Sequence, residues 1–154
     1  MFLVPALALL TIVSSCKKDD DDDDPVTDLC ALPNGSLKWT SNGQNLCANA
    51  SLFADYAIVM TVNGISQQGA TLTLELDSVN QGTYQMKELV NSILYTDVLG
   101  MAWQSTDDNP GTITITKNNT STNEFEATFT VQVRNPLGMS QTLSGGTLKV
   151  FYTE

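Results

Sequence analysis

Three cysteines and several closely spaced acids are the residues of this 154-residue chain with the most obvious chemistry. A thiol at Cys16, Cys30 or Cys47 can serve as a nucleophile, a metal ligand or half of a disulfide. Glu75 with Asp77, and Glu124 with Glu126, are of the type that cleaves glycosidic bonds when two carboxyls face each other. Each pair is spaced i, i+2 in an alternating stretch, which puts both acids on the watered side of a strand. Asp107, Asp108 and Asn109 precede Pro110-Gly111, a composition suited to calcium ligation but also to a tight turn, and the turn is the expected use. The chain has no histidine, which removes the commonest general base, triad member and metal ligand together. Gly145-Gly146 lacks the following helix and lysine of a phosphate loop. We expect no catalytic residue, no metal and no cofactor, hence no enzyme.

Trp39, Trp103, Tyr84 and Tyr95 are the candidate ligand contacts, as an exposed aromatic platform that stacks on sugars; the competing use of aromatics in a small β domain is core. The formal charge is -10, and six of the 17 acids are the unbroken run Asp19–Asp24. From Pro25 onward 11 acids face five bases. Nucleic acid is excluded as a partner, because phosphate binding needs clustered Lys and Arg. A bare anionic membrane surface is repelled as well.

The elements that hold these residues read as short antiparallel strands. Polar and apolar residues alternate in nearly every segment after Pro25, with Gly, Asn, Asp and Pro between segments. Glu124 to Val133 is the clearest case: Phe125, Ala127, Phe129, Val131 and Val133 share one face. Leu72, Leu74 and Leu76 repeat the pattern, as do Ile113 with Ile115, and Leu148, Val150 and Tyr152. Asn42-Gly43 predicts a hairpin, and Asn63-Gly64 predicts a second one closing an apolar strand over Tyr56 to Val62. The spacing of Met86, Leu89, Val90, Ile93 and Leu94 predicts at most one short helix near 86–94. The fold class is all-β, an antiparallel β-sandwich or flattened β-barrel of about eight or nine strands, as one domain over 36–154.

Ahead of that domain, Phe2 to Val13 is apolar apart from Thr11 and is followed by Ser14, Ser15 and Cys16, the layout of a secretion signal over 1–15. At about 1.5 Å per residue its 14 residues after Met1 reach about 21 Å, against a hydrocarbon core of about 30 Å. Val13-Ser14-Ser15-Cys16 resembles a lipobox, which implies cleavage before Cys16 and its lipidation. The leader opens without Lys or Arg, so the natural start is expected a few codons upstream. Two or more acyl chains hold a protein at a membrane where one is marginal. Lipidation of Cys16 would leave Cys30 and Cys47 to pair as a disulfide, closing a loop of about 18 residues and stabilising by about 3 kcal/mol. The alternatives at those two residues are free thiols or half a metal site. After Lys17 and Lys18, Asp19–Asp24 form a like-charge block, read with the residues up to 35 as a solvated, disordered tether.

Cysteine, lysine and then an acidic run resembles the surface-export signal of Bacteroidetes lipoproteins. Farther on, Gly82-Thr83-Tyr84, Tyr95-Thr96-Asp97, the segment from Gly111 to Lys117, Phe125 to Phe129 and Gly146 to Tyr152 resemble a Bacteroidetes surface lipoprotein family of unknown function. That resemblance runs from about Ser36 to the end and implies an all-β domain and an envelope address, with no activity to carry over. Asp77-Ser78-Val79 resembles the short acceptor motif for O-glycosylation in these bacteria, making Ser78 the candidate acceptor. The expected protein is a non-catalytic lipoprotein with a binding or envelope-structural role. It would be lipid-anchored in the outer membrane and face the exterior, or alternatively the periplasm. A glycan or a small apolar ligand is the candidate partner, the latter implying a lipocalin-like carrier.

Overall fold

The computed structural model describes residues 28–154. The leader 1–15, Cys16 and the run Asp19–Asp24 lie outside the described residues, as does most of the tether expected over 16–35. All regular structure among the described residues is β. The strands are β1 (Ala31–Leu32), β2 (Gly35–Ser41), β3 (Gln44–Cys47), β4 (Ser51–Tyr56), β5 (Met60–Ile65) and β6 (Thr71–Leu76). They continue with β7 (Gly82–Met86), β8 (Ser92–Thr96), β9 (Ala102–Ser105), β10 (Gly111–Asn119), β11 (Glu124–Arg134) and β12 (Ser140–Phe151). The expected class is the observed one. The count is twelve rather than eight or nine, because strands as short as β1, β3 and β9 carry too few residues to show an alternation.

Antiparallel pairing links β1-β2-β12-β11-β9-β8-β6-β5-β4 in one path, with β3 added to β2, and β10 then β7 added to β11. The strand that turns this sheet into a flattened barrel is β11. From Glu124 to Thr130 it pairs with β10. Its end pairs instead with β9, Val133 opposite Ser105 and Arg134 opposite Gln104. One layer thus runs β7-β10-β11-β12-β2-β3 and the other β9-β8-β6-β5-β4. The far side of the second layer returns to the first at the carboxyl end. There Tyr56 N–H donates to Thr153 O at 2.8 Å and Thr153 N–H donates to Ala54 O at 3.1 Å.

A strand that changes partner part-way must bend, and the register of β11 against β12 slips between Phe129 and Val131. Such bulges kink a strand and raise its twist. Two glycines make the room. Phe129 lies opposite Gly146, where an added Cβ would come within 2.4 Å of the ring. A Cβ on Gly111 would meet Thr130 O at 2.5 Å. Between the layers the inward faces interlock: Trp39, Tyr95, Phe125, Leu72, Leu74, Ile93 and Ile113 are all fully buried. Trp39 meets Tyr95 edge-on, with centroids 6.3 Å apart.

Two expectations are corrected. Asn63-Gly64 is not a hairpin turn but lies inside β5, and the preceding strand breaks earlier, between Tyr56 and Met60. The glycine is needed for packing: a Cβ there would sit 2.7 Å from both Ala48 Cβ and Leu37 Cδ2. Asn42-Gly43 does form its hairpin, with both residues at positive φ. No helix forms over 86–94. Met86 and Ile93 are buried at the ends of two different strands, while Leu89 is 86% and Val90 50% exposed. A turn closed by Lys87 N–H on Val90 O and the positive φ of Asn91 separate them. An extended β8 can bond β6 on one side and β9 on the other; a helix there would leave both neighbours' backbone groups unpaired.

Overpacking a close contact costs about 1–3 kcal/mol. Gly146→Ala is therefore expected to lower unfolding free energy by about that amount, and Phe129→Leu in the same chain to recover part of it. Urea denaturation of the two single variants and the double variant checks the coupling; strictly additive losses would contradict the proposed contact.

Candidate functional site

Cys30 and Cys47 form a disulfide, with Cα atoms 5.5 Å apart. It ties the turn before β1 to β3, the outermost strand beyond β2, as the pairing predicted. Asp28 supports the same corner: it accepts from Cys30 N–H at 3.0 Å and pairs with Lys38 at 2.6 Å. The Lys38 hydrogen bond, then the Cys30 N–H, hold its carboxyl below the ordinary carboxylate value.

The two acid pairs have different settings. Glu124 and Glu126 face outward beside Lys117 and Lys149, with Glu124 oxygens 2.5 Å and 2.9 Å from the two ammoniums. Lys117, Glu126 and Lys149 are direct cross-strand neighbours on β10, β11 and β12. These charges satisfy one another, and the group acts as a surface clasp. Hydrogen bonds from Lys117 and then Lys149 lower the Glu124 carboxyl to about 2. Glu75 and Asp77 instead line a cleft of about 290 Å³ on the outer face of β6 and β8, together with Glu88. A larger cleft of about 510 Å³ adjoins it over β8, β9 and the end of β11, and shares Glu88, Leu94 and Gln104 with it. Asp107 and Asp108 stand at its rim, each with a protein partner. Asp107 accepts from Glu88 N–H at 3.3 Å, and Asp108 pairs with Arg134 at 3.2 Å.

The aromatic platform does not exist as such. Trp39 is 2% and Tyr95 1% exposed, because both occupy inward positions of their strands and fill the core. Trp103 is nearly buried, with its Nε1 donating to Asp97 Oδ2 at 3.1 Å. Tyr84 is half-buried and donates to Asn80 O. The four rings therefore form no exposed sugar-stacking surface, although Trp103 lies against the larger cleft. Ser78, half-buried just after β6, donates its N–H to Asn91 Oδ1 at 3.1 Å.

A feature that composition alone did not single out is a repeated loop. Ser66–Ala70, Asp97–Met101 and Asn135–Met139 are hairpin loops of one design. The first residue's N–H donates to the fifth's carbonyl, and a glycine in fourth place donates to the first's carbonyl. The first side chain accepts from the fifth N–H. The glycines have φ of +89°, +82° and +84°, a region that favours glycine. The near-repeat of Asp97-Val98-Leu99-Gly100-Met101 in Asn135-Pro136-Leu137-Gly138-Met139 was the signal for it. Burial alone would raise the Asp97 carboxyl. The N–H groups of Met101, Leu99 and Gly100 and the indole of Trp103 outweigh it and hold the group below its ordinary value. By register these loops share one end of the barrel with the Asn42-Gly43 turn, where Gln44 bonds Gln68 at 2.6 Å. The chain enters β1 beside the middle of β2, where Asp28 meets Lys38 and Cys30 is joined to Cys47, and the turn that follows β1 lies at the opposite end, where Asn34 O accepts from Phe151 N–H. Leu99 and Leu137 are 90% and 73% exposed at the loop tips.

Because Glu124 titrates lower in the folded chain than its ordinary 4.5, its stabilisation is full above about 4.5 and is lost as pH falls through about 2. Glu124→Gln is expected to lower the melting temperature at pH 7 and to leave it nearly unchanged at pH 2. A difference that stayed constant across that range would refute the clasp.

No curated protein and no solved structure is similar enough to match the chain. Residues 41–150 match the model of a family described as a domain of unknown function, DUF6252, a span from the end of β2 almost to the end of β12. The match thus takes in the outer-face clefts, the clasp and all three repeated loops, and the chain belongs to this family.

Proposed function

We propose that this protein is a non-catalytic binding module, lipidated at Cys16, anchored in the outer membrane of a Bacteroidetes-type envelope and displayed to the exterior. The observation that carries the reading is a filled interior beneath an outer face whose acids stand in solvent. The short apolar leader, the small-small-Cys ending and the acidic run after it support the anchor and the address.

A binding role is favoured over catalysis by the setting of the acids. Glu75, Asp77, Glu88, Asp107 and Asp108 are all exposed, whereas general acid or base work by a carboxylate relies on a dry, desolvated site. The filled interior favours recognition on the outer surface over carriage of an apolar molecule inside the barrel. Ser78 would carry a glycan on the connection after β6 without disturbing either layer.

Metabolic labelling with a palmitate analogue tests the anchor. The natural protein is expected to take up label and to sediment with membranes, and Cys16→Ala to lose both. Replacing Asp19–Asp24 with alanine is expected to protect the domain from protease added to whole cells. Undiminished cleavage would remove the export role of the run and leave it a spacer facing either side.

A further inference from the structure

The outer face of the second layer carries a feature that follows from register alone. Phe53 lies opposite Asn63, Asn63 opposite Thr73, Thr73 opposite Leu94, Leu94 opposite Gln104, and Gln104 opposite Arg134. These six side chains are successive register neighbours in one row across β4, β5, β6, β8 and β9 and onto the end of β11. With strands about 4.8 Å apart, the row is about 24 Å long. Its Leu94–Gln104–Arg134 end forms part of the lining of the larger cleft, and Thr73, Leu94 and Gln104 line the smaller one. We propose that this row is the binding site of the module, and that its ligand is a neutral oligosaccharide lying across the strands.

The chemistry of the row selects that class. Phe53 and Leu94 are 51% and 50% exposed, offering two apolar steps to the C–H faces of sugar rings. Between and beyond them stand an amide, a hydroxyl and a second amide, each able both to donate and to accept, as a sugar hydroxyl does. Asn63 Nδ2 donates to Thr73 Oγ1 at 2.8 Å and Gln104 Nε2 donates to Glu88 O at 3.3 Å, so both amides are held in place before a ligand arrives. Exposed carboxylates flank the row at Glu75, Glu88, Asp107 and Asp108, while Arg134 is already paired with Asp108. That excess of negative charge opposes acidic polysaccharides and other polyanions, and it accepts hydroxyl donors.

One buried donor stands beside the same cleft. Asn135 is 4% exposed and lines the larger cleft. Its Oδ1 is used by the N–H groups of Leu137 and Met139, while its Nδ2 has no acceptor within the protein. A buried donor left without a partner is costly, and this nitrogen is shielded from solvent, so a ligand oxygen in the cleft reaches it only after the atoms covering it shift.

This proposal rests on the binding-module reading, and its test separates the two. Full-length protein in mild detergent would be titrated calorimetrically with neutral hexasaccharides of β-1,4-glucan, β-1,3-glucan, α-1,4-glucan, mannan and xylan. Hexalysine and an oligogalacturonate serve as charged probes. At least one neutral hexasaccharide is expected to bind more tightly than its disaccharide and with little dependence on salt. Phe53→Ala and Gln104→Ala, both solvent-facing, are each expected to weaken it about tenfold, and Glu124→Gln on the other layer to leave it unchanged. Melting curves identify a variant that has lost its fold, in which case Phe53→Leu and Gln104→Asn replace it. Binding that survives both row variants overturns the site but keeps the module. Binding of hexalysine or oligogalacturonate alone overturns the sugar class. Binding of none of the probes overturns the proposal, and the palmitate and protease experiments would then stand by themselves.

Discussion

Everything in this barrel depends on β11 bending where Phe129 lies over Gly146. A straight β11 would keep β10 as its neighbour along its whole length and leave β9 without a partner, and the second layer would have nothing to join. The bend needs an aromatic ring and an empty position facing it, because the ring fills the gap that a kinked strand opens toward the core. Gly111 does the equivalent on the other side, letting β10 begin tight against Thr130. The seam at Thr153 is built differently, from backbone hydrogen bonds to β4. One side of the flattened barrel is thus fixed by side-chain volume and the other by backbone pairing.

The two layers then divide the surface between them. On the first, opposite charges meet at Lys117, Glu124, Glu126 and Lys149 and satisfy each other, so that face is electrically closed. On the second, acids outnumber bases and the central residues are amides and hydroxyls, so that face keeps hydrogen-bonding capacity turned toward solvent. The disulfide stands outside both, fastening the incoming chain to the edge strand β3. Edge strands present unpaired backbone groups, and the covalent tie at Cys47 limits how far this one can peel from β2.

Much of the fold was legible in the sequence because a half-buried strand writes its two faces into alternate residues. Phe125 to Val133 and Leu72 to Leu76 announced their inward faces correctly, and the odd cysteine count led to the Cys30–Cys47 bridge. What misled was local resemblance between different physical needs. Asn-Gly serves as a turn at Asn42-Gly43, where both residues take positive φ, while at Asn63-Gly64 the glycine leaves a void that Leu37 and Ala48 fill. Met86 to Leu94 has helical spacing only because two strand ends and a turn happen to put apolar residues at those intervals. The candidate site was the least legible part. The aromatic residues drew attention by type, and Trp39, Tyr95 and Trp103 proved to be buried and Tyr84 half-buried, while the row from Phe53 to Arg134 joins residues 81 positions apart and exists only once five pairings are known.

The repeated hairpin loops separate two kinds of position. Residues one, four and five hold the backbone, through the capping side chain, the glycine and the closing pair of hydrogen bonds. Residues two and three, such as Val98-Leu99 and Pro136-Leu137, add to that frame only the third residue's N–H, which donates to the first side chain. Their side chains can therefore be exchanged at little structural cost. The end of the barrel is in effect a set of interchangeable tips on a common mount, so the tips can change by single substitutions while the scaffold beneath goes on folding as before.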